Sequence, residues 1–297
     1  GSEQAALAAS YAFEDWSVAD AALLDELVAM LGPVESDEAD EPMLFLPDGT
    51  EITEVVTTAD RLRDVRETDP NADPHDTFAH LLIDEAQDLS PMQWRMLRRR
   101  GSQASWTIVG DPAQSSWPDV AESEQALQEL IGSAPHRDFR LSTNYRSPAE
   151  VFELASRVVR RAFPQADLPA AVRSTGVEPQ LLAAANGQLV GELDRVLGEL
   201  SGLVEGTIGV IAAPSRLPEL AVADLPAAEA HADRISFVTP LNAKGLEYDA
   251  VVVVGPDEVV AESPGGVRVL YVALTRPTQR LVTIDVGAPG AWREALS

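Results

Sequence analysis

LLIDEAQDL, residues 81–89, puts the carboxylates Asp84 and Glu85 directly after an apolar run with the composition of a buried strand. Carboxylates at a strand end suit phosphoryl transfer, where one acid holds magnesium and its neighbour orients the attacking water. Such a site also calls for a phosphate-binding loop with a lysine. Of the 22 basic residues only Lys244, in LNAKGLEYD, is a lysine, and no G-x-x-x-x-G-K-[ST] pattern occurs. Backbone amides and a lysine that would cradle the β and γ phosphates are therefore missing, and what is present amounts to part of a site. Either the loop lies upstream of Glu3 or the nucleotide site has decayed. The same stretch has a structural reading, since SPMQ supplies a helix start with Ser90 as cap and Pro91 at the first position.

The elements that must position these acids are legible as patterns. Apolar residues at helical spacing predict a helix from Trp16 to Leu31, stopped at Gly32-Pro33. A polar loop over 33–50, a short helix from Thr57 to Arg66 and a second loop, ETDPNADPHD, follow. Then strand and helix alternate: strand 80–84, helix 90–100, strand 106–111, helix 123–132. After a break near 136–148 a second series runs helix 148–163, strand 180–184, helix 188–200, strands 206–213, 235–240 and 249–255, helix 266–275, strand 280–284. Alternating short apolar strands and amphipathic helices predict an α/β protein of two parallel-sheet units, the first without an opening strand-loop-helix. The expected division is 1–140 and 141–297.

Composition narrows the partners. A chain of 297 residues with 45% hydrophobic content can bury a core. It has no cysteine, and its four histidines lack metal-ligand spacing, which excludes disulfides and thiolate metal sites. No apolar run suits a membrane span, no signal peptide opens the chain, and a cytoplasmic setting is expected. Gly1-Ser2 reads as a cloning remnant. The 48 acidic residues outweigh the 22 basic ones to give −26, and residues 1–88 alone hold 23 acids against 3 bases. Nucleic-acid binders are usually basic, so weak or no direct DNA binding is expected. The block ESDEADE at 35–41 reads either as a solvated loop or as a surface for a basic protein.

Five segments, in order, resemble motifs II to VI of superfamily 1 helicases of the UvrD/Rep type: LLIDEAQDLSPMQ, TIVGDPAQSSW, LSTNYRSP, VTPLNAKGLEYDAVVVVG and LYVALTRPTQRLV. The resemblance runs over 81–284 and implies two RecA-like units, the first incomplete. The family's phosphate loop, glutamine motif and motif Ia belong upstream, which favours a missing segment over a decayed site. It implies ATP and Mg²⁺ as cofactors. Asp84, with Glu85 beside it, would hold Mg²⁺ through water, and Glu85 would polarise the attacking water. Gln114 would sense the γ-phosphate, Tyr145 would stack on adenine, Arg146 and Arg276 would reach the γ-phosphate across a cleft, and Gly245 and Glu247 would line the nucleotide, Glu247 at the ribose. Taken alone, the arginines read as surface residues and Tyr145 as a boundary aromatic. Arg95, Arg98, Arg99 and Arg100 read either as nucleic-acid contacts or as a basic helix end that favours the macrodipole. Trp94 and Trp106 read as core.

Departures refine the resemblance. About ninety residues separate NYRSP from NAKGLE, too few for the large accessory domain of UvrD-type helicases. Asp119 stands where translocating members carry a second aromatic, and Leu241 replaces the motif V histidine. With the acidic N-terminal region, these features resemble HelD-type proteins, ATPases that bind core RNA polymerase and release it from stalled complexes. That implies RNA polymerase as partner and a chain that does not hydrolyse ATP alone. A UvrD-type DNA helicase or translocase, and a motor-like scaffold without ATPase activity, are the alternatives.

Overall fold

The computed structural model describes residues 17–32, 44–45, 51–52, 78–117 and 119–296. The helix expected over Thr57 to Arg66, the loop after it and the ESDEADE block lie outside the described residues. Two compact bodies result. One gathers the described residues up to Ile83 with Ser90–Ile108, the other Asp84–Leu89 with Val109 onward.

The first body holds helix α1 (Val18–Leu31), strands β1 (Leu44–Phe45) and β2 (Glu51–Ile52), strand β3 (His80–Ile83), helix α2 (Pro91–Arg100) and strand β4 (Ser105–Ile108). β1 and β2 pair antiparallel, and β3 and β4 pair parallel through the crossover that contains α2. A capping box starts α2: the Ser90 hydroxyl accepts from the Gln93 N–H at 3.2 Å, and Gln93 Oε1 accepts from the Ser90 N–H at 2.8 Å. Pro91 at the first position fits because its missing N–H has no helical partner there. Arg99 and Arg100 of α2 pair with acids of α1. Arg99 binds Asp25 at 2.5 Å and Glu26 at 2.6 Å, and Arg100 binds Asp25 at 2.9 Å. Trp94 is buried as expected, and Trp106 is half-buried with its indole N–H on the Gly101 carbonyl.

The second body continues with α3 (Val120–Ile131), β5 (Thr143–Asn144), α4 (Ala149–Ala162), β6 (Ala170–Ala171), β7 (Gln180–Ala184), α5 (Leu189–Leu203), β8 (Ile208–Ala212), α6 (Leu217–Ala221), α7 (Pro226–Ala230), β9 (Ile235–Val238), β10 (Tyr248–Val254), α8 (Pro256–Glu262), α9 (Val267–Leu274) and β11 (Pro277–Val286). Five strands form one sheet in the order β7-β11-β10-β8-β9, every pair parallel. The valine run of β10 shows why. Val251 and Val253 enter one core with α4 and α9, while Ala250, Val252 and Val254 enter a second core with α5. A strand buried on both faces needs an unbroken apolar run, which is the mark of a parallel sheet covered by helices. Both expected series are α/β, and the parallel sheets are present.

Compactness does not follow the expected division at residue 140. The turns 84–89 and 109–117 group with the C-terminal body because their side chains are bonded to residues near 244 and 276, as described below. The sequence pattern also passed over α8, α6 and α7, whose 7, 5 and 5 residues are too short to show a period. Among the described residues no helix is long and apolar enough to cross a membrane.

Gly209 in β8 is required by close approach. A Cβ there would lie 2.9 Å from the Tyr248 ring, in a sheet interior with no slack. Gly209→Ala is expected to destabilise the protein by about 1–3 kcal/mol, the usual range for overpacking; an unchanged urea midpoint would contradict that packing.

Candidate nucleotide site

Asp84 and Glu85 follow β3 in the chain and open a short turn that a 3₁₀ segment, Ala86–Asp88, completes. Glu85 sits at φ 51° and is the one non-glycine residue with positive φ among the described residues. Such a backbone costs of order 1 kcal/mol and persists only where the surroundings hold it. Two contacts do so. Asp84 Oδ1 accepts from the Glu85 N–H at 2.8 Å, and Gln87 Nε2 donates to Glu85 Oε2 at 2.5 Å. Gln87 is itself buried, and its Oε1 accepts the Asp111 N–H at 2.9 Å, so one amide side chain ties the acidic turn to the GDPAQ loop. A Cβ on Gly110 would come within 2.9 Å of that same oxygen.

The GDPAQ loop turns on Asp111, whose Oδ1 accepts from the Ala113 N–H and whose Oδ2 accepts from Gln114 Nε2 at 2.8 Å. This leaves Gln114 Oε1 to receive Arg276 Nη2 at 2.9 Å. Arg276 is 2% exposed, its Nε donating to the Val272 carbonyl at 3.0 Å. It is not the surface arginine that its type suggests. Burial first, and then the charge of Arg146, push its guanidinium below the ordinary value, although an arginine keeps its charge at any physiological pH.

Lys244 joins these parts. Its ammonium donates to Asp88 Oδ2 and, at 2.7 Å, to the Gln114 carbonyl, and it lies 3.7 Å from Glu85 Oε2. Asp88 uses its other oxygen on Ser116, accepting from the N–H at 2.9 Å and the hydroxyl at 2.7 Å.

The NYRSP and TRP segments meet separately. The Ser147 hydroxyl donates to the Thr275 carbonyl at 3.2 Å, and Arg173 Nη2 donates to the carbonyls of Arg146 and Thr278. Arg146 forms an ion pair with Glu247 at 2.6 Å, so the residue expected at the ribose is bound here to an expected phosphate ligand. Tyr145 is 73% exposed, with its ring available to a stacking partner. Gly245, at φ 77°, has open space where a Cβ would stand. Glu85, Gln114 and Arg276 thus stand in one bonded network through Lys244, and Arg146 with Glu247 and Tyr145 forms a neighbouring group. The roles of Gln87, Asp88 and Arg173 were not read from the sequence. Gln87 and Asp88 lie within the quoted motif, but only tertiary contacts distinguish them.

Residues 55–117 match the UvrD/REP helicase N-terminal domain, and residues 236–284 match the UvrD-like helicase C-terminal domain. Two segments of the chain are thus similar to UvrD/REP-type helicase domains. It is similar to DNA helicase IV of Escherichia coli, 27% identical over 239 residues that cover 69% of this chain and 33% of that protein. Over 83 residues it is 36% identical to the RecBCD enzyme subunit RecB of Mycobacterium tuberculosis, covering 28% of this chain and 8% of that one. The chain thus spans about a third of the first relative's length. Among solved structures, the C-terminal domain of a possible DNA helicase from Lactobacillus plantarum aligns at TM-score 0.38 and 19% identity, over 52% of this chain and 94% of that one. The Arterivirus nonstructural protein 10 helicase aligns at TM-score 0.42 and 16% identity, over 75% of this chain and 43% of that one.

Removing the lysine tests the network. Lys244→Met leaves Asp88 without its cation and is expected to cost about 2–4 kcal/mol, somewhat under the figure for a fully buried pair because the Asp88 side chain is 25% exposed. Lys244→Met combined with Asp88→Asn should lose less than the sum of the two single changes, a coupling that urea unfolding of the four proteins measures.

Proposed function

We propose that this chain is part of an ATP-driven motor of the UvrD/Rep type, whose phosphate loop is supplied by residues other than these 297. The observation that carries the proposal is the bonded network of Glu85, Lys244, Gln114 and Arg276, with Arg146 beside it. Phosphoryl transfer to water needs an oriented acid and fixed cations where negative charge develops, and this network supplies both.

In this reading Glu85, held by Gln87, orients the attacking water and takes its proton. Gln114 and Arg276 meet the γ-phosphate as one unit, and Arg146 approaches it from the NYRSP segment. The residues also fit a hydrated magnesium ion. Asp84 Oδ1 is used by the Glu85 N–H, and Oδ2 has no hydrogen bond among the described residues, leaving an acceptor for a metal-bound water. When bound, Mg²⁺ would neutralise charge on the substrate phosphates.

The finer reading is that the motor releases RNA polymerase core from stalled complexes, as HelD-type proteins do. Three observations support it over strand separation. The segment between NYRSP and NAKGLE is taken up by the helices and strands from α4 to β9, which belong to the C-terminal body. Asp119 caps α3, its Oδ1 accepting from the Glu122 N–H at 3.2 Å, and offers no ring to a base. The charge of −26 opposes a polyanion and favours the basic walls of nucleic-acid channels. The names of the relatives favour a second reading, a DNA helicase or translocase.

In the longer protein, Glu85→Gln or Arg276→Ala is expected to lower ATP turnover by about 10²-fold or more; normal turnover in either variant would sink the site assignment. Addition of core RNA polymerase should stimulate turnover and lead to its release. Salt-dependent binding of single-stranded DNA with unwinding would instead establish the second reading. Absence of turnover in the unaltered longer protein would leave only a scaffold.

A further inference from the structure

A cavity of about 280 Å³ in the C-terminal body is lined by none of the residues assigned to the nucleotide site. Its walls are α4, α8, α9 and the 3₁₀ turn Ala291–Leu296, which supply Val158, Val260, Val267, Leu270, Trp292 and Ala295. The volume falls just under the range of drug-sized sites and suits a single large apolar side chain. Such a side chain, seated in a desolvated pocket, is the usual anchor of a protein interface.

The walls are fixed before any ligand arrives. Asp257 of α8 accepts the Ala291 N–H at 2.7 Å through Oδ2 and the Trp292 N–H at 2.9 Å through Oδ1. The Trp292 indole N–H donates to the buried Asp285 at 2.7 Å, and Arg157 Nη1 of α4 donates to the Leu296 carbonyl at 3.3 Å. The terminal turn is thus tied to α4, α8 and β11, and an incoming group has little to order.

The charges around the cavity are unevenly shared among its walls. On α4, Arg161 lines the cavity, is exposed, and has no hydrogen bond or ion pair among the described residues. Arg157, one helical turn earlier on the same face, gives an N–H to a carbonyl and pairs with no carboxylate among the described residues. Two such arginines stand out in a chain where acids outnumber bases 48 to 22. The lining acids come from other walls: Asp257, whose two oxygens are taken by the turn, and Glu294 of the turn itself.

We infer that this cavity is a docking site for an acidic segment of a partner protein, one large apolar side chain filling it and neighbouring carboxylates meeting Arg161 and Arg157. A guanidinium takes a carboxylate through paired N–H donors, which gives the α4 side a preference that apolar contact alone would lack. The inference goes beyond the motor reading and does not depend on it, since it uses no residue of the nucleotide site.

The test is fluorescence anisotropy of a labelled synthetic peptide, aspartates and glutamates around one phenylalanine, titrated with this chain. Saturable binding is expected, weakened about tenfold by Arg161→Gln, the scale of one charge-assisted contact. Ala162→Phe, at an exposed position on the cavity wall, occupies the space from its rim and should abolish binding, with the urea midpoint unchanged. Arg195→Ala on α5, where Arg195 pairs with Glu192 and Glu199, controls for removal of any arginine and should leave affinity unchanged. A peptide with alanine for the phenylalanine should bind far more weakly. Absence of saturable binding, an Arg161→Gln affinity within about twofold of the unaltered chain, or equal binding of the alanine peptide overturns the inference. A peptide with lysines for the acids that binds more tightly, and is lost with Ala162→Phe, overturns the acidic assignment in favour of a basic partner. Self-association of this chain in sedimentation, abolished by Ala162→Phe, overturns the partner assignment in favour of a second copy.

Discussion

A single ammonium group holds the candidate site together. Lys244 Nζ meets Asp88 Oδ2 and the Gln114 carbonyl, with Glu85 Oε2 at 3.7 Å, so the acidic turn and the GDPAQ loop share one cation from a third, distant stretch. The residue type matters. An ammonium is a compact point charge with three donors that can point to acceptors in different directions, whereas a planar guanidinium suits a flat pair of oxygens. Its side chain is 11% exposed, and withdrawing a cation that far from water is tolerable only with charged and carbonyl partners close by. That this chain uses arginine at 21 of its 22 basic positions makes the exception physically informative.

The same cation explains how a strained carboxylate can be kept in place. Glu85 occupies a left-handed backbone that a non-glycine residue adopts only under constraint, and the constraint comes from side chains on every side. Asp84 accepts its N–H, Gln87 grips its carboxylate, and Lys244 anchors the turn through Asp88. Gln87 in turn reads the Asp111 N–H, which starts the loop bearing Gln114. The acidic turn and the GDPAQ loop are thus joined by one buried amide as well as by Lys244 and the Asp88–Ser116 bonds.

Much of the architecture was legible because the C-terminal sheet is buried on both faces. Runs such as DAVVVV and GTIGVIAA have one physical use, and β10 and β8 fall where they predict. β5 and β6 were not legible, since paired strands of two residues carry no period, and the segment 136–148 that holds β5 read only as a break. The division at 140 followed motif order, while compactness follows hydrogen bonds between residues up to 162 positions apart, such as Arg276 to Gln114. The quoted motifs singled out Asp84, Glu85, Gln114, Arg146 and Arg276, of which the structure joins Glu85, Gln114 and Arg276 in one network. They did not assign Lys244 as the tie among them, because a lone lysine outside a phosphate loop has no local signature; its rarity was the one available signal.

Arg276 and Arg146 are held in different ways, and under the proposed reading this asymmetry bears on how the site would respond to nucleotide. Arg276 is buried and already bonded to Gln114, so its charge is fixed before any ligand arrives and needs little reorganisation to act. Arg146 is 44% exposed at its side chain and paired with the equally accessible Glu247, an ion pair of a class worth about 0–1 kcal/mol. Exchanging that carboxylate for a phosphate is therefore nearly free, and it releases Glu247 at the same moment for another partner. Since Arg173 binds the Arg146 carbonyl rather than its side chain, the backbone can stay fixed while the guanidinium changes partner. The site thus combines one cation fixed by burial with another whose exposed ion pair leaves it able to change partner.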